Sequence, residues 1–353
     1  MTRIEKIQSK LIEKDLDAIL LSSESNVRYA GQFAFTDGAV VVTREKAYLM
    51  TDSRYIEAAR AEAKDVEVLL FDAENRLRDR VKEALRGCKT VGAEEQRMPW
   101  AEWKDWERLL ETELHSAEEI MADLRAVKDQ SEIDSLVKAQ RIAEQALEEI
   151  LKYIRPGVKE RDIAAELTYR MMLLGGEGNS FDPITITGAN TSKPHGVPGD
   201  AVVQAGDFVT MDFGTLWNGY HSDMTRTVAV GYATEEMKKV YNTVLEAQLA
   251  GIARMQAGTT GAQVHSAAAK VIADAGYGEY FGHGFGHSVG LEIHENPGAS
   301  MRNDKPLPAG AVVTAEPGIY LPGKFGVRIE DMILIGEDGP VDLTAAPKEL
   351  VIL

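Results

Sequence analysis

Apolar residues follow two different periods along this chain, and together they predict alternating strands and helices. Uninterrupted apolar runs at 18–21 and 38–43 predict buried strands. Charged segments with apolar positions three and four residues apart predict amphipathic helices, and one of these spans 99–110 with a proline at its start. In that helix we expect Trp100 and Trp103 to pack into a core.

The chain is long enough for two domains, because its 353 residues exceed the size at which a single hydrophobic core stops growing. We expect an α/β (α+β) fold, with a smaller α/β domain over residues 1–122, a linker over 123–130 and a larger domain over 131–353. Ser131 and Asp134 match a capping box that would open a long helix of the larger domain.

The larger domain contains a weak internal repeat. A turn followed by a helix at 156–166 is similar to 257–267, and a strand ending in Asp212 is similar to one ending in Glu316, at offsets of 101 and 104 residues. A duplicated helix–strand unit folded about an approximate two-fold axis would bring Asp212 and Glu316 towards each other. The alternative is a chance similarity of two glycine-led strands.

The most informative stretch is 212–227. Asn218 and Gly219 predict a two-residue hairpin turn, because both residues tolerate positive φ. With that turn, Asp223 lies diagonally from Asp212 on the same face of the strand pair. Two carboxylates so placed repel each other, which predicts either a solvated acidic hairpin or a cation held between them.

Three further candidate ligands lie downstream. Glu316 ends an apolar strand, and Glu330 lies in the apolar strand 326–335, so both carboxylates are embedded in sequence that otherwise predicts core. His283 and His287 lie in a glycine-rich stretch, where their even spacing places them on one side of a strand. A single buried glutamate could belong to a core salt bridge, but the whole set is better explained by a shared metal site.

The chemistry of this ligand set predicts both a cofactor and a reaction class. Four carboxylates and one imidazole carry about four negative charges, which two divalent cations balance. The oxygen-rich set favours Mn²⁺, with Co²⁺ and Zn²⁺ as alternatives. Two such ions can share and activate one water molecule while polarising a carbonyl, which predicts metal-assisted hydrolysis of an acyl bond.

Composition narrows the possible partners and compartment. The formal charge of −17 and the absence of a Lys/Arg-rich block argue against nucleic-acid binding. No apolar run is long enough for a signal peptide or a membrane helix, so we expect no membrane association. A single cysteine, Cys88, fits a reducing cytoplasm.

The ordered motifs resemble the "pita-bread" metallopeptidases, which include methionine aminopeptidase, aminopeptidase P and prolidase. The resemblance covers 128–353 and rests on Asp-Phe-Gly…Gly-Tyr-His-Ser-Asp-Met-Thr-Arg-Thr, His-Gly-Phe-Gly-His-Ser-Val-Gly-Leu-Glu-Ile-His-Glu, Glu-Pro-Gly-Ile-Tyr and Gly-Val-Arg-Ile-Glu-Asp. Residues 26–29 and 51–55 also resemble the creatinase-type amino-terminal domain of this family, which methionine aminopeptidase lacks. The resemblance therefore implies the proline-directed branch: a peptidase that hydrolyses the Xaa-Pro bond of peptides or dipeptides through a hydroxide bridging two metals, in a homodimer.

The resemblance also implies roles for individual residues. These are Asp212 on one metal and His287 on the other, Asp223 and Glu330 as bridging ligands, Glu316 as ligand and general base, His195 at the scissile amide or its leaving nitrogen, His294 at the substrate carbonyl and oxyanion, His283 and Arg328 on the proline or carboxylate side, and Thr225 as a supporting partner of the metal ligands.

Two alternatives from other functional classes remain at this point. One is a hydrolase of the same fold that uses no metal, as in creatinase, and the other is a non-catalytic peptide-binding protein. Both predict an incomplete ligand set, whereas all five ligands are present here. The sequence leaves open whether the enzyme is a dipeptidase or an aminopeptidase.

Overall fold

A six-stranded mixed sheet forms the centre of the first of two units into which the chain divides, Met1–Arg125 and Ala126–Leu353. The computed structural model describes all 353 residues. The elements up to residue 126 are, in chain order, α1 (Arg3–Glu13), β1 (Ala18–Leu21), α2 (Glu24–Gly31), β2 (Gly38–Thr43), β3 (Ala47–Thr51), α3 (Ile56–Glu62), β4 (Glu67–Leu70), α4 (Leu77–Ala84), β5 (Val91–Ala93), α5 (Trp100–Leu110), β6 (Leu114–Ser116) and α6 (Glu118–Ala126).

The predicted apolar runs form the middle of this sheet, whose strand order is β4-β3-β2-β1-β5-β6. β1 is buried along its whole length and pairs antiparallel with β2 and parallel with β5. α1 and α4 both pack against β2. The uninterrupted apolar sequence of β1 and β2 follows from burial on both faces of the sheet.

Helix α5 buries Trp106, whereas the sequence predicted that Trp100 and Trp103 would pack into the core. Trp100 is 71% exposed with the Nζ atom of Lys104 4.6 Å from its ring centroid, whereas Trp106 is buried. Trp103 is partly buried at the edge of the core. The prediction for Trp100 was wrong because a helical period identifies residues on one face without showing which turns of that face are covered.

The second unit contains four helices and twelve strands. In chain order they are α7 (Gln130–Ile150), α8 (Glu160–Leu173), β7 (Ile184–Thr187), β8 (Phe208–Phe213), β9 (Leu216–Trp217), β10 (Tyr220–His221), β11 (Met224–Ala229), α9 (Glu235–Ile252), α10 (Gly261–Asp274), β12 (Gly286–Ser288), β13 (Glu295–Ala299), β14 (Val312–Ala315), β15 (Gly318–Leu321), β16 (Phe325–Arg328), β17 (Asp331–Ile335) and β18 (Pro340–Asp342).

The start of α7 differs from the prediction. Residues 123–126 of the predicted linker are helical, and α7 begins at Gln130. Asp129 caps it, since the Asp129 side chain accepts the Glu132 N–H and the Glu132 side chain accepts the Asp129 N–H. The cap predicted at Ser131 was wrong because Asp129, two residues earlier, is an equally good cap with a glutamate three positions after it.

The second unit contains two larger antiparallel sheets, two smaller two-stranded pairs and two pairs of packed helices. One sheet has the order β11-β8-β7 and the other β13-β12-β14-β17-β18, while β9-β10 and β15-β16 form two-stranded pairs. One core lies among α7, α8, β8 and β11, and a second lies among α9, α10, β14 and β17. None of the helices combines the length and apolar composition needed to cross a membrane.

The internal repeat is confirmed by matching backbone contacts in the two halves of this unit. Helices α8 and α10 each contain 14 residues. The Gly157 N–H donates to the Val203 carbonyl, and the Gly258 N–H donates to the Leu307 carbonyl, at the predicted offsets. Each half therefore consists of two packed helices followed by a sheet.

The strand predicted at 326–335 is two strands. β16 pairs with β15, whereas β17 pairs with β14 and β18 in another sheet. Between them, the Glu330 N–H donates to the Thr225 carbonyl, and Arg226 donates to the Glu330 carbonyl at 2.7 Å. These contacts with β11 satisfy the backbone of Glu330 where the chain changes sheets, which an apolar pattern cannot reveal.

Candidate metal centre

Strand ends from both repeats meet at a cavity of about 990 Å³ in the second unit. Asp212 lies in β8, Asp223 directly before β11 and Glu316 directly after β14. His287 lies in β12, and Glu330 lies between β16 and β17. The cavity wall includes all the predicted metal and substrate residues: His195, Asp212, Asp223, His283, His287, His294, Glu316, Arg328 and Glu330.

The predicted hairpin places the first two carboxylates. Asn218 and Gly219 form its turn with φ angles of 49° and 70°, and Asp212 pairs with Thr225 across the strands. Asp223 precedes Thr225 by two residues and therefore shares the face of Asp212. This register, set by a local turn, brings both carboxylates into the cavity.

Asp223, His287 and Glu330 form the tightest group. Each offers one ligand atom, and these three atoms lie within 4.8 Å of one another. The Nε2 atom of His287 lies 3.5 Å from Asp223 Oδ2 and 3.6 Å from Glu316 Oε1. One strand end from the first repeat and two segments of the second thus converge on a single point.

Asp212 lies on the same cavity wall, and its side chain forms an ion pair with Arg328. Arg328 Nη2 donates to Asp212 Oδ2 at 2.6 Å, and Arg328 is buried while Asp212 is partly buried. The Oδ1 atom of Asp212 and the Oδ1 atom of Asp223 are buried without a hydrogen-bond partner. Buried carboxylate oxygens require a donor or a cation, so these two atoms fit metal ligands.

Burial and mutual repulsion raise the pKa values of these acids, and a bound cation would counteract that effect. Burial, followed by the charge of Asp212, raises the pKa of Asp223, and burial, followed by the charge of Asp223, raises the pKa of Glu330. Burial also raises the pKa of Glu316 to about 8. Together with the unpaired oxygens, the raised pKa values favour a site for divalent cations.

His287 is prepared to act as a neutral ligand. Burial, followed by the charge of His294, lowers the pKa of His287 to about 4. Its Nδ1 atom lies 3.2 Å from the Ser288 carbonyl, an acceptor that places the ring proton on Nδ1. Nε2, which faces Asp223 and Glu316, then carries the free lone pair.

Comparison with known proteins decides the family. Residues 134–337 match the model of metallopeptidase family M24, and residues 3–127 match the creatinase/prolidase N-terminal domain. The chain belongs to metallopeptidase family M24. Its fold is accordingly the pita-bread fold with a creatinase-like amino-terminal domain, as the motifs predicted, and the family is one that uses divalent metal ions.

Relatives of this M24 enzyme match over nearly the whole chain. The Xaa-Pro dipeptidase of Pyrococcus horikoshii is 36% identical, covering 99% of this chain and 98% of the relative. Among solved structures, an Xaa-Pro dipeptidase from Bacillus anthracis is 40% identical with a TM-score of 0.95, covering 99% of both chains. An X-Pro aminopeptidase from Thermotoga maritima MSB8 is 36% identical with a TM-score of 0.93, covering 98% of this chain and 99% of that one.

Sequence patterns did not identify Tyr320, whose hydroxyl contacts both His283 and Arg328 in this M24 site. Its hydroxyl lies 3.0 Å from His283 Nε2 and accepts a hydrogen bond of 2.9 Å from Arg328 Nη1. Arg328 Nε also donates to the Thr225 hydroxyl at 3.0 Å, and that hydroxyl donates to Glu330 Oε2 at 2.6 Å. Tyr320 closes the Glu-Pro-Gly-Ile-Tyr motif, but the motif does not reveal its partners, because His283 lies in a loop and Arg328 lies on β16.

The remaining histidines differ in position. His294 has its ring centroid 4.4 Å from that of His287, whereas His195 is exposed on a loop at the cavity wall. His265 is buried in α10 and stacks on Phe281 at 5.1 Å. His115 is exposed on β6. Both His265 and His115 lie outside the cavity lining.

Proposed function

We propose that this M24 metallopeptidase hydrolyses the Xaa-Pro bond, either at the amino terminus of peptides or in dipeptides. The observation that carries the proposal is a single cavity lined by four carboxylates and one imidazole of types that ligate metal, together with three further histidines and an arginine. The relatives described above, whose names specify Xaa-Pro dipeptidase and X-Pro aminopeptidase activity, support it. Nothing in these relatives supports the metal-free or the non-catalytic alternative.

Two divalent ions would be held by Asp212, Asp223, His287, Glu316 and Glu330. When bound, such ions lower the pKa of a water molecule and polarise the substrate carbonyl. We propose Mn²⁺ as the native ion because oxygen ligands outnumber the single imidazole, with Co²⁺ and Zn²⁺ as alternatives.

Glu316 is the proposed general base, and two histidines are proposed to contact the reacting amide. Glu316 would accept a proton from the attacking water in its ionised form, which the bound cations favour, and return it to the leaving nitrogen. His294 would donate a hydrogen bond to the substrate carbonyl as it becomes an oxyanion. His195 would bind the scissile amide and orient it for attack.

The part of the cavity around Arg328 is proposed to receive the proline end. Arg328 carries the positive charge there, and His283 lies beside it, with Tyr320 bonded to both. Burial, followed by the charge of Arg328, lowers the pKa of His283 to about 4, so His283 is neutral and Arg328 is left as the group that attracts a carboxylate.

Substrate length distinguishes the two possible activities. Protein loaded with Mn²⁺ or Co²⁺ is incubated with Ala-Pro and with Ala-Pro-Ala, and released alanine is measured. A dipeptidase must enclose the free proline carboxylate and will favour Ala-Pro, whereas an aminopeptidase leaves that end open and will favour Ala-Pro-Ala. Ala-Ala and Ala-Ala-Ala serve as matched substrates without proline.

Elemental analysis of the same samples makes the outcome decisive. Cleavage of proline substrates by protein that contains two ions per chain supports the proposal. Failure to cleave either proline substrate while both ions are bound rejects it.

We also propose a cytoplasmic homodimer. Cys88 forms no disulfide, which suits a reducing compartment. The dimer rests on the family resemblance, and sedimentation equilibrium tests it by a mass of twice 38.7 kDa.

A further inference from the structure

The loop that carries His195 is tethered at both ends by one buried acid that the mechanism above does not use. This His195 loop, residues 188–198, connects β7 to the segment that leads into β8. Within it, Pro194 and His195 line the cavity while Val197 is 85% exposed. A surface loop with so few buried apolar side chains needs other contacts to keep a histidine in place.

Within the loop, the Gly326 N–H donates to the Thr191 hydroxyl and Arg328 Nη1 donates to the Pro194 carbonyl. Glu160, the first residue of α8, supplies the side-chain contacts at the two ends of the loop. Its Oε1 atom accepts the Thr187 N–H at 2.8 Å and the Asn190 Nδ2–H at 2.9 Å. Its Oε2 atom accepts the Gly199 N–H at 2.9 Å. Thr187 and Gly199 flank the His195 loop, so the two oxygens of one carboxylate hold its two ends.

The charge of Glu160 is matched by hydrogen-bond donors and not by a cation. The residue is only 1% exposed, and its carboxylate forms no ion pair with lysine, arginine or histidine. Three N–H donors satisfy its oxygens, and its position in the first turn of α8 places it at the positive end of the helix dipole. These contacts compensate the free-energy cost of burying the Glu160 carboxylate. The two segments that donate to it both belong to the region of the His195 loop.

The internal repeat shows that the fold itself does not require an acid at this position. Gly261, the first residue of α10, occupies the corresponding place at the offset of 101 residues. α10 therefore begins with a residue that has no side chain. Its half of the unit nevertheless has a helix of the same length as α8 and the equivalent backbone hydrogen bond from Gly258 to Leu307. The carboxylate is thus present only in the half whose following loop carries His195.

We infer that Glu160 is a positioning residue, which holds the His195 loop closed so that His195 meets the scissile amide. The inference rests on the proposed function of His195. Backbone bonds from Glu160 N–H to the Ala201 carbonyl and from Arg161 N–H to the Gly199 carbonyl remain when the side chain changes. Loss of the carboxylate therefore loosens the loop while the start of α8 stays attached to the chain beyond it.

Glu160→Gln tests the inference with a change of one atom. The glutamine oxygen can still accept from Thr187 and Asn190, but its NH2 group faces the Gly199 N–H and cannot accept from it. Glu166→Gln is the matched control, because Glu166 lies on the same helix and pairs only with Arg170 near the surface. Both variants are compared with the parent enzyme for kcat, KM, metal content and hydrogen exchange of peptides covering 188–198.

We expect kcat of Glu160→Gln to fall by about 10–100-fold, the cost of misplacing a catalytic group by about 1 Å. Two metals should remain bound, exchange should become faster in 188–198 alone, and Glu166→Gln should match the parent. In a His195→Ala background the same Glu160→Gln change should cost little further activity, because the group it positions is gone. A general structural defect would lower activity equally in both backgrounds.

Three results would overturn the inference: kcat of Glu160→Gln equal to that of Glu166→Gln, an equal loss with and without His195, or unchanged exchange in 188–198. If Glu160→Gln fails to fold, Asn190→Ala removes one arm of the tether and should lower kcat in the same direction, by a smaller factor. If the parent enzyme with two metals cleaves no proline peptide, the proposed function fails, and the exchange comparison alone still decides whether Glu160 holds the loop.

Discussion

Arg328 gives the candidate site a positive charge in addition to those of its metals. The buried guanidinium donates to Asp212, Tyr320 and Thr225, so it is fixed among the acids that would hold the ions. Four carboxylates balance two divalent ions. The charge of Arg328 is then free to attract an anionic part of the substrate, such as the carboxylate of a terminal proline.

The decisive single residue is His287, the only neutral member of the ligand set. His287→Ala removes the imidazole that faces Asp223 and Glu316. We expect peptidase activity to be abolished, and metal affinity to fall by more than the roughly 10–100-fold typical of losing a residue that only supports a ligand. Elemental analysis and peptide cleavage measure the two effects.

His115→Ala is the control for that experiment, because His115 is exposed and lies in the first unit. It should retain both metals and the full rate. Unchanged turnover in His287→Ala would contradict the ligand assignment.

Residues whose role depends on local sequence were predictable, and residues that act over long separations were not. Asn218 and Gly219 determine the register that aligns Asp212 with Asp223, and a turn of this type is recognised from two adjacent letters. Tyr320 and Glu160 carry no such local signal. Glu160 meets Gly199 and Tyr320 meets His283 only after the chain has folded, so their partners had to be seen in the structure.

At the scale of elements, the strand that leads away from His294 is anchored by a buried ion pair. Lys128 Nζ lies 2.9 Å from Glu295 Oε2, with side chains 1% and 5% exposed. Glu295 begins β13, directly after His294. Lys128 lies between α6 and α7, so a short connection between two helices holds one end of the wall that contains His294.

Lys128→Met should therefore destabilise the second unit by about 3–5 kcal/mol, since it breaks a buried ion pair by removing one of its two partners. Thermal unfolding followed by circular dichroism measures the change. Adding Glu295→Gln to Lys128→Met should recover part of the loss, because the buried negative charge that Lys128 balanced is then removed.

Lys270→Met is the surface counterpart, because the Lys270–Asp274 pair is mostly exposed. Its unfolding midpoint should stay close to that of the parent. A double variant less stable than Lys128→Met alone would contradict the explanation by the buried charge of Glu295.

Element boundaries explain most of the differences between prediction and structure. Both Asp129 and Ser131 can cap a helix, and choosing between them requires knowing which backbone N–H groups lack partners. The division of 326–335 into two strands depends on contacts of Glu330 with β11. Trp100 and Trp106 lie on the same helix, and only the surrounding core determines which one is buried.

For the whole molecule, metal binding and protonation should be linked. Without metal, the pKa of about 8 for Glu316 keeps a proton on the site near neutral pH, and the raised pKa values of Asp223 and Glu330 act in the same direction. Ligation requires the deprotonated form, so binding must release these protons. Since His287 has a pKa lowered to about 4, it does not compete for protons in this range.

Metal affinity should accordingly decrease as the pH falls from about 8.5 to about 6, through the pKa of about 8 for Glu316. Calorimetric titration in two buffers with different ionisation enthalpies counts the protons released, and their number should rise towards low pH. Metal at about 100 times its Kd should also stabilise the second unit by about 2.7 kcal/mol. An affinity independent of pH over this range would contradict the linkage.

The order of the ligands along the chain has a consequence during synthesis. Asp212 and Asp223 precede α9, whereas His287, Glu316 and Glu330 all follow it. A ribosome that has translated only the first repeat has made two of the five proposed ligands. On this assignment the complete centre can assemble only after the second repeat has emerged and folded against the first.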